Sequence, residues 1–134
     1  MKRSLVLISV VALLVVLSVF VFAACVSSDP AKAAKSYEKK GYTANLANSN
    51  AETTLAKAGV SIAIDMEGDI KAVLEVHNKK YAGEFTYFTE SKDAKKYYEY
   101  CKSHKDDDDD YYIKRDGKAV FIGDKEAYNK KKAD

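Results

Sequence analysis

The chain has 134 residues, 22 basic and 20 acidic side chains, and a formal charge of +2. That length allows one domain of ordinary size, and the near balance of charge excludes the broad basic surface of a nucleic-acid-binding protein. Two cysteines and two histidines exclude a disulfide framework and leave no set with metal-ligand spacing.

Lys2 and Arg3 are the only charged residues before Cys25. Leu5 to Ala24 is then uncharged, interrupted only by Ser9 and Ser18. A basic start, an apolar run and small residues before a cut site make the pattern of a secretory signal. The basic end stays cytoplasmic while the apolar run enters hydrocarbon. The run also approaches the ~20 residues that span a bilayer. An uncleaved anchor and ordinary secretion after cleavage at Ala23 are therefore the competing readings. Phe22-Ala23-Ala24-Cys25 resembles a lipobox, the recognition site of bacterial lipoprotein signal peptidase. The resemblance implies a diacylglyceryl group on the Cys25 thiol and cleavage between Ala24 and Cys25. Residues 1–24 are then a lipoprotein signal peptide, and residues 25–29 are a lipidated N-terminus with a short tether. Two acyl chains hold to a membrane where one does not. The implied location is the extracytoplasmic face of the cell membrane. All 20 acidic residues and all but two of the 22 basic ones follow Ala24, so the formal charge belongs to the signal. The chain behind Cys25 is similar in general character to small lipoproteins of Gram-positive bacteria.

Residues 30–134 are read as one domain. Asp29-Pro30 predicts an N-cap with proline at the first helical position. The helix runs to about Lys40, where Gly41 ends it. Its thin apolar stripe is Ala33, Ala34 and Tyr37. Tyr42 to Leu46 predicts a short strand, and the asparagines after it a loop. Glu52 to Ala58 reads as a helical turn ending at Gly59. Val60, Ile62, Ile64 and Met66 alternate with small or acidic residues, which predicts a half-buried strand over 60–67. Gly68-Asp69 is a turn. Ile70 to His77 fits a strand or a helix face, and strand is preferred because the preceding turn is short.

Gly83 to Thr89 predicts another strand, rich in Phe, Tyr and Thr. Ser91 is placed to cap a helix whose apolar face is Ala94, Tyr97, Tyr98 and Cys101. Residues 111–123 predict a hairpin about Asp116-Gly117, with Tyr111, Ile113, Val120 and Ile122 on one face. Tyr112 and Phe121 fall on the other face, opposite each other. Asp124 is placed to cap a last short helix through Lys132. The order predicts an α+β domain, an antiparallel sheet with helices packed on it.

No residue set predicts catalysis, and no motif predicts a cofactor. His77 and His104 lie apart in sequence, among lysines and polar residues. Cys101 sits on an apolar helix face and reads as a small buried hydrophobe. The run Asp106–Asp110 is a solvated loop, or a cation site through Asp106, Asp108 and Asp110, since hard cations prefer oxygen ligands. It lacks the glycine and the closing glutamate of an EF-hand loop. Lys32, Lys35, Lys39 and Lys40 are placed to meet anionic headgroups. The expected function is a membrane-anchored, non-enzymatic binding module for a protein or another envelope component. Tyr112 and Phe121 are its first candidate contact, and cation binding through residues 106–110 is the alternative.

Overall fold

The computed structural model describes residues 29–130. The signal run, the lipobox and Cys25 lie outside them. Among the described residues, five antiparallel strands form one sheet in the order β1-β2-β3-β5-β4, accompanied by four helices. The chain is a single α+β domain, as its pattern of elements predicts.

Helix α1 spans Pro30–Lys39. The Asp29 carboxylate accepts the Ala31 N–H at 3.0 Å, and Gly41 leaves the helix at φ +87°. Both ends are those the sequence marks. Strand β1 is Thr43–Ala47. Helix α2 spans Asn50–Val60 and is closed by a capping box. Ser49 Oγ accepts the Glu52 N–H at 3.2 Å, while Glu52 Oε1 accepts the Ser49 N–H at 3.1 Å. Those reciprocal bonds satisfy two donors that a helix start leaves open.

This cap overturns the strand expected at 60–67. A helix launched at Asn50 continues through Gly59, so Val60 is its buried last turn. Turns and loop follow to Asp69. Ile62, expected on a half-buried face, is 83% exposed.

Strands β2, Ile70–His77, and β3, Ala82–Phe88, make the central hairpin. Helix α3 spans Ser91–Ser103. Its N-cap is Glu90 rather than Ser91, with no side-chain capping bond. The expected apolar face holds, with Ala94, Tyr97 and Cys101 buried and Tyr98 partly so. Strands β4, Tyr112–Asp116, and β5, Ala119–Gly123, form the last hairpin.

Here the register differs from expectation. Asp116 pairs with Ala119 and Ile113 with Ile122, so Gly117-Lys118 forms the turn, Gly117 at φ +60°. The slip moves pairing by an even count, so each side chain keeps its expected face. Tyr112 now stands opposite Gly123, not Phe121. Helix α4, Lys125–Asn129, closes the described chain, and its expected continuation to Lys132 lies outside it. Asp124 is the N-cap but makes no capping bond. Its carboxylate accepts the Ala82 N–H instead, at 2.8 Å.

Both faces of the sheet are covered. On one, Tyr37 of α1 meets Phe85, and Tyr128 of α4 meets Phe121 and Tyr112. The Tyr37 hydroxyl donates to the Ala127 carbonyl at 2.8 Å, tying α1 to α4. Gly83 and Gly123 lie cross-strand beneath the Phe121 ring. A Cβ on Gly83 would stand 2.3 Å from Phe121 Cε1, and one on Gly123 2.4 Å from Gly83 Cα. On the other face α3 packs Tyr97 against Phe88.

Chain direction sorts the loops into two poles. Asp29 lies near the Tyr87 end of β3, where its charge acts on that phenol. The start of β2 and the Gly117-Lys118 turn share this pole, where Phe88 N–H donates to the Lys118 carbonyl at 2.8 Å. Thr43, His77 and Ala82 mark the opposite pole. The run Asp106–Asp110 joins the end of α3 to the start of β4 there.

Candidate functional site

Two leads from the sequence change on folding. The Tyr112–Phe121 contact surface is not available. Phe121 is 1% exposed, held between Phe85 and Tyr128, and Tyr112 is half-buried against Tyr128. Two aromatic faces read on a hairpin say nothing about a helix that later folds over one of them.

The acidic run gathers differently from its expected alternation. Ligand oxygens of Asp106, Asp108 and Asp109 lie within 4.8 Å of one another. Asp109 takes the place assigned to Asp110. Its carboxylate also accepts the Asp106 N–H at 2.9 Å, and its carbonyl accepts the Lys105 ammonium at 3.0 Å. Asp109 therefore closes the loop on itself, which a solvated connector needs as much as a cation site does.

Glu67 and Asp69, in the loop before β2, brace that loop against the helices. Lys92 and Lys96 donate to Glu67 at 3.2 and 3.4 Å, which holds its carboxyl below the usual range. Lys57 pairs with Asp69 at 2.8 Å. Beneath them the buried Asp93 carboxylate accepts the Glu67 and Gly68 N–H groups at 2.9 and 2.8 Å.

The two histidines are apart. His104 stacks on Tyr100 with ring centroids 4.0 Å apart. His77 ends β2 at the far pole. Burial pushes the Cys101 thiol up to about 12, so the thiolate that would be a nucleophile is suppressed.

A different group emerges from the register. Asn45, Glu75, Glu84, Ile122 and Ile113 are successive cross-strand partners, and so form one row on the α3 face of the sheet. Glu75 and Glu84 stand directly opposite each other, where Cβ atoms are typically about 5 Å apart. Glu84 is 5% exposed, and its Oε2 has no hydrogen-bond partner. Burial drives its carboxyl well above the usual range, and the Glu75 charge adds to the shift. Burial also raises Glu75, against the pull of His77. Under α3, Tyr97 and Cys101 feel the Glu84 charge.

A recess of about 220 Å³ has Glu75 and Glu84 among its lining residues. Its lining also includes His77, Ala82 and Ile122. His77 also borders a wider depression with Thr43, Asn78, Lys79 and Lys80. Sequence reading missed this site because the two glutamates are nine positions apart and meet only through the β2–β3 register. One signal was present. Glu84 shares its strand face with Thr86 and Phe88 and is the one charged residue of its strand.

Among the described residues, no helix is long and apolar enough to cross a membrane. Comparison with protein-family models, curated proteins and solved structures finds no match to the chain.

Proposed function

We propose that this protein is an exported lipoprotein, anchored through Cys25 on the extracytoplasmic face of the cell membrane. Its domain is a non-enzymatic module that binds an envelope component, a protein or another molecule, at the Glu75–Glu84 recess. The observation that carries the binding assignment is the buried Glu84 carboxyl, with Oε2 unpartnered, among the residues lining an open recess. Polar atoms buried in a folded protein nearly always find a partner, and an unpartnered one beside a concavity marks where a ligand completes the set. His77 is the one other titratable side chain among the residues that line the recess.

Anchoring is tested by the intact mass of membrane-extracted protein, wild type and Cys25→Ala. A chain beginning at Cys25 and bearing a diacylglyceryl group, lost in the variant, is expected. An unmodified full-length mass refutes it. Binding is tested with a photo-crosslinking residue at Ala82, on the recess rim, compared with Lys95 on the outer surface of α3. Trapping of an envelope component at Ala82 alone is expected, and equal trapping at both positions removes the recess assignment.

The three converging carboxylate oxygens of Asp106, Asp108 and Asp109 support cation binding as a second reading. Calcium at millimolar concentration should then raise the unfolding temperature, and an unchanged transition discards this reading.

A further inference from the structure

We infer that the recess lined by Glu75 and Glu84 binds a primary ammonium group carried on a short apolar stem. The inference deepens the binding-module reading and is independent of the lipid anchor. Like charges directly opposite on neighbouring strands oppose sheet pairing. The central hairpin places Glu75 opposite Glu84 all the same. Such a pair is tolerated when a proton or a cation stands between its members.

The chemistry of the recess selects among cations. Calcium takes six to eight oxygens, whereas this row supplies two carboxylates and the Asn45 amide. Among the described residues, only Asp106, Asp108 and Asp109 bring three ligand groups together. An ammonium asks for less, having three donors and no acceptor. It is also a compact point charge, where a guanidinium is a broad planar fork, and the unpartnered oxygen lies deep. The volume, about 220 Å³, falls below the ~300–1,000 Å³ of ordinary ligand pockets. It suits a stem of a few carbons against Ala82 and Ile122. A free amine and the end of a lysine side chain share this chemistry.

The test uses the full chain in detergent micelles, followed by amide NMR during titration with n-butylammonium chloride. Saturable shifts at Gly83, Glu84 and Ile122 are expected. Butan-1-ol, of the same length without charge, should give none, and Glu84→Gln should weaken butylammonium about tenfold or more, as loss of a hydrogen bond to a charged group implies. Absence of saturation, an equal response to butan-1-ol, or unchanged binding by Glu84→Gln overturns the inference. If Glu84→Gln fails to fold, Glu75→Gln carries the same expectation.

The peptide acetyl-Gly-Lys-Gly-amide separates the two sources. Binding of both probes assigns a partner's lysine, and binding of butylammonium alone assigns a free amine. Calcium chloride shifting the same amides with neither amine doing so also overturns it. Trapping at Ala82 in cells without amine binding removes the ammonium and leaves the binding module. Amine binding without trapping has the reverse meaning.

Discussion

Glu84 keeps its proton to a pH at which the unfolded chain has already released it. Its carboxyl is raised above 4.5 by burial first and by the Glu75 charge second. The folded state therefore binds more protons than the unfolded state as pH rises above 4.5. Stability falls through that window, by at most about 1.4 kcal/mol per pH unit for one group. Glu75, raised in the same direction but partly exposed, adds a smaller contribution of the same sign. His77 on β2, with Tyr97 and Cys101 on α3, are the other titratable groups acting on the pair. Glu84→Gln removes the ionisation and keeps the shape. Urea unfolding at about pH 5 and about pH 8 should show the variant gaining on wild type as pH rises; a constant gap contradicts the buried proton. Gly83 makes a second prediction at this scale. A Cβ there would sit 2.3 Å from a Phe121 ring wedged between Phe85 and Tyr128, which leaves the ring little room to yield. Gly83→Ala should cost about 1–3 kcal/mol by chemical denaturation, and a neutral result would mean the ring moves freely.

Asp93 ties helix α3 to the loop before β2, and this contact is the clearest prediction at the scale of elements. Asp93→Ala strips the Glu67 and Gly68 N–H groups of a carboxylate acceptor. A loss of about 2–4 kcal/mol follows from two bonds to a charged group, with faster hydrogen exchange at those two amides. Unchanged exchange would show that the loop is held otherwise. The same region shows where sequence reading stops. Helix α1 was legible because Asp29, Pro30 and Gly41 each act within a few residues. Strand β3 was legible from its aromatic and threonine content, whereas β2 fitted a strand and a helix face alike and was decided by its short preceding turn and its valines. Val60 to Met66 alternates, yet four apolar residues cannot outweigh a capping box eleven positions upstream of Val60 that starts a helix through it. The hairpin faces were legible by parity, while its turn was misplaced by one residue because Asp116-Gly117 and Gly117-Lys118 both offer a glycine for positive φ. Glu84 was illegible for a longer-range reason. Its partner, its burial and its recess arise from strand register and from a helix packed over the sheet, none of which is local.

The molecule as a whole has a direction. Asp29 lies at the pole of Tyr87 and the Gly117-Lys118 turn, whereas the recess and the acidic run lie at the other. Four residues from Cys25 to Asp29 reach at most about 14 Å, so a lipid on Cys25 would hold the first pole at the bilayer and aim the recess outward. A fluorophore at Lys118 should then be dimmed by quencher-labelled lipids, and one at Asn78 should not. Equal quenching would mean the domain lies flat, with the lysines of α1 as its contact. The order β1-β2-β3-β5-β4 has one more consequence for chains gathered on a surface. An open sheet has two edges that a neighbouring copy can extend, and crowding raises the frequency of that encounter. The β4 edge carries Lys114, Arg115 and Asp116, whose charges oppose stacking of a like strand. The β1 edge, Thr43–Ala47, has no charge and only its five-residue length to protect it. Edge-to-edge self-association, where it occurs, therefore starts at β1, and a lysine at Asn45 is the substitution that guards it.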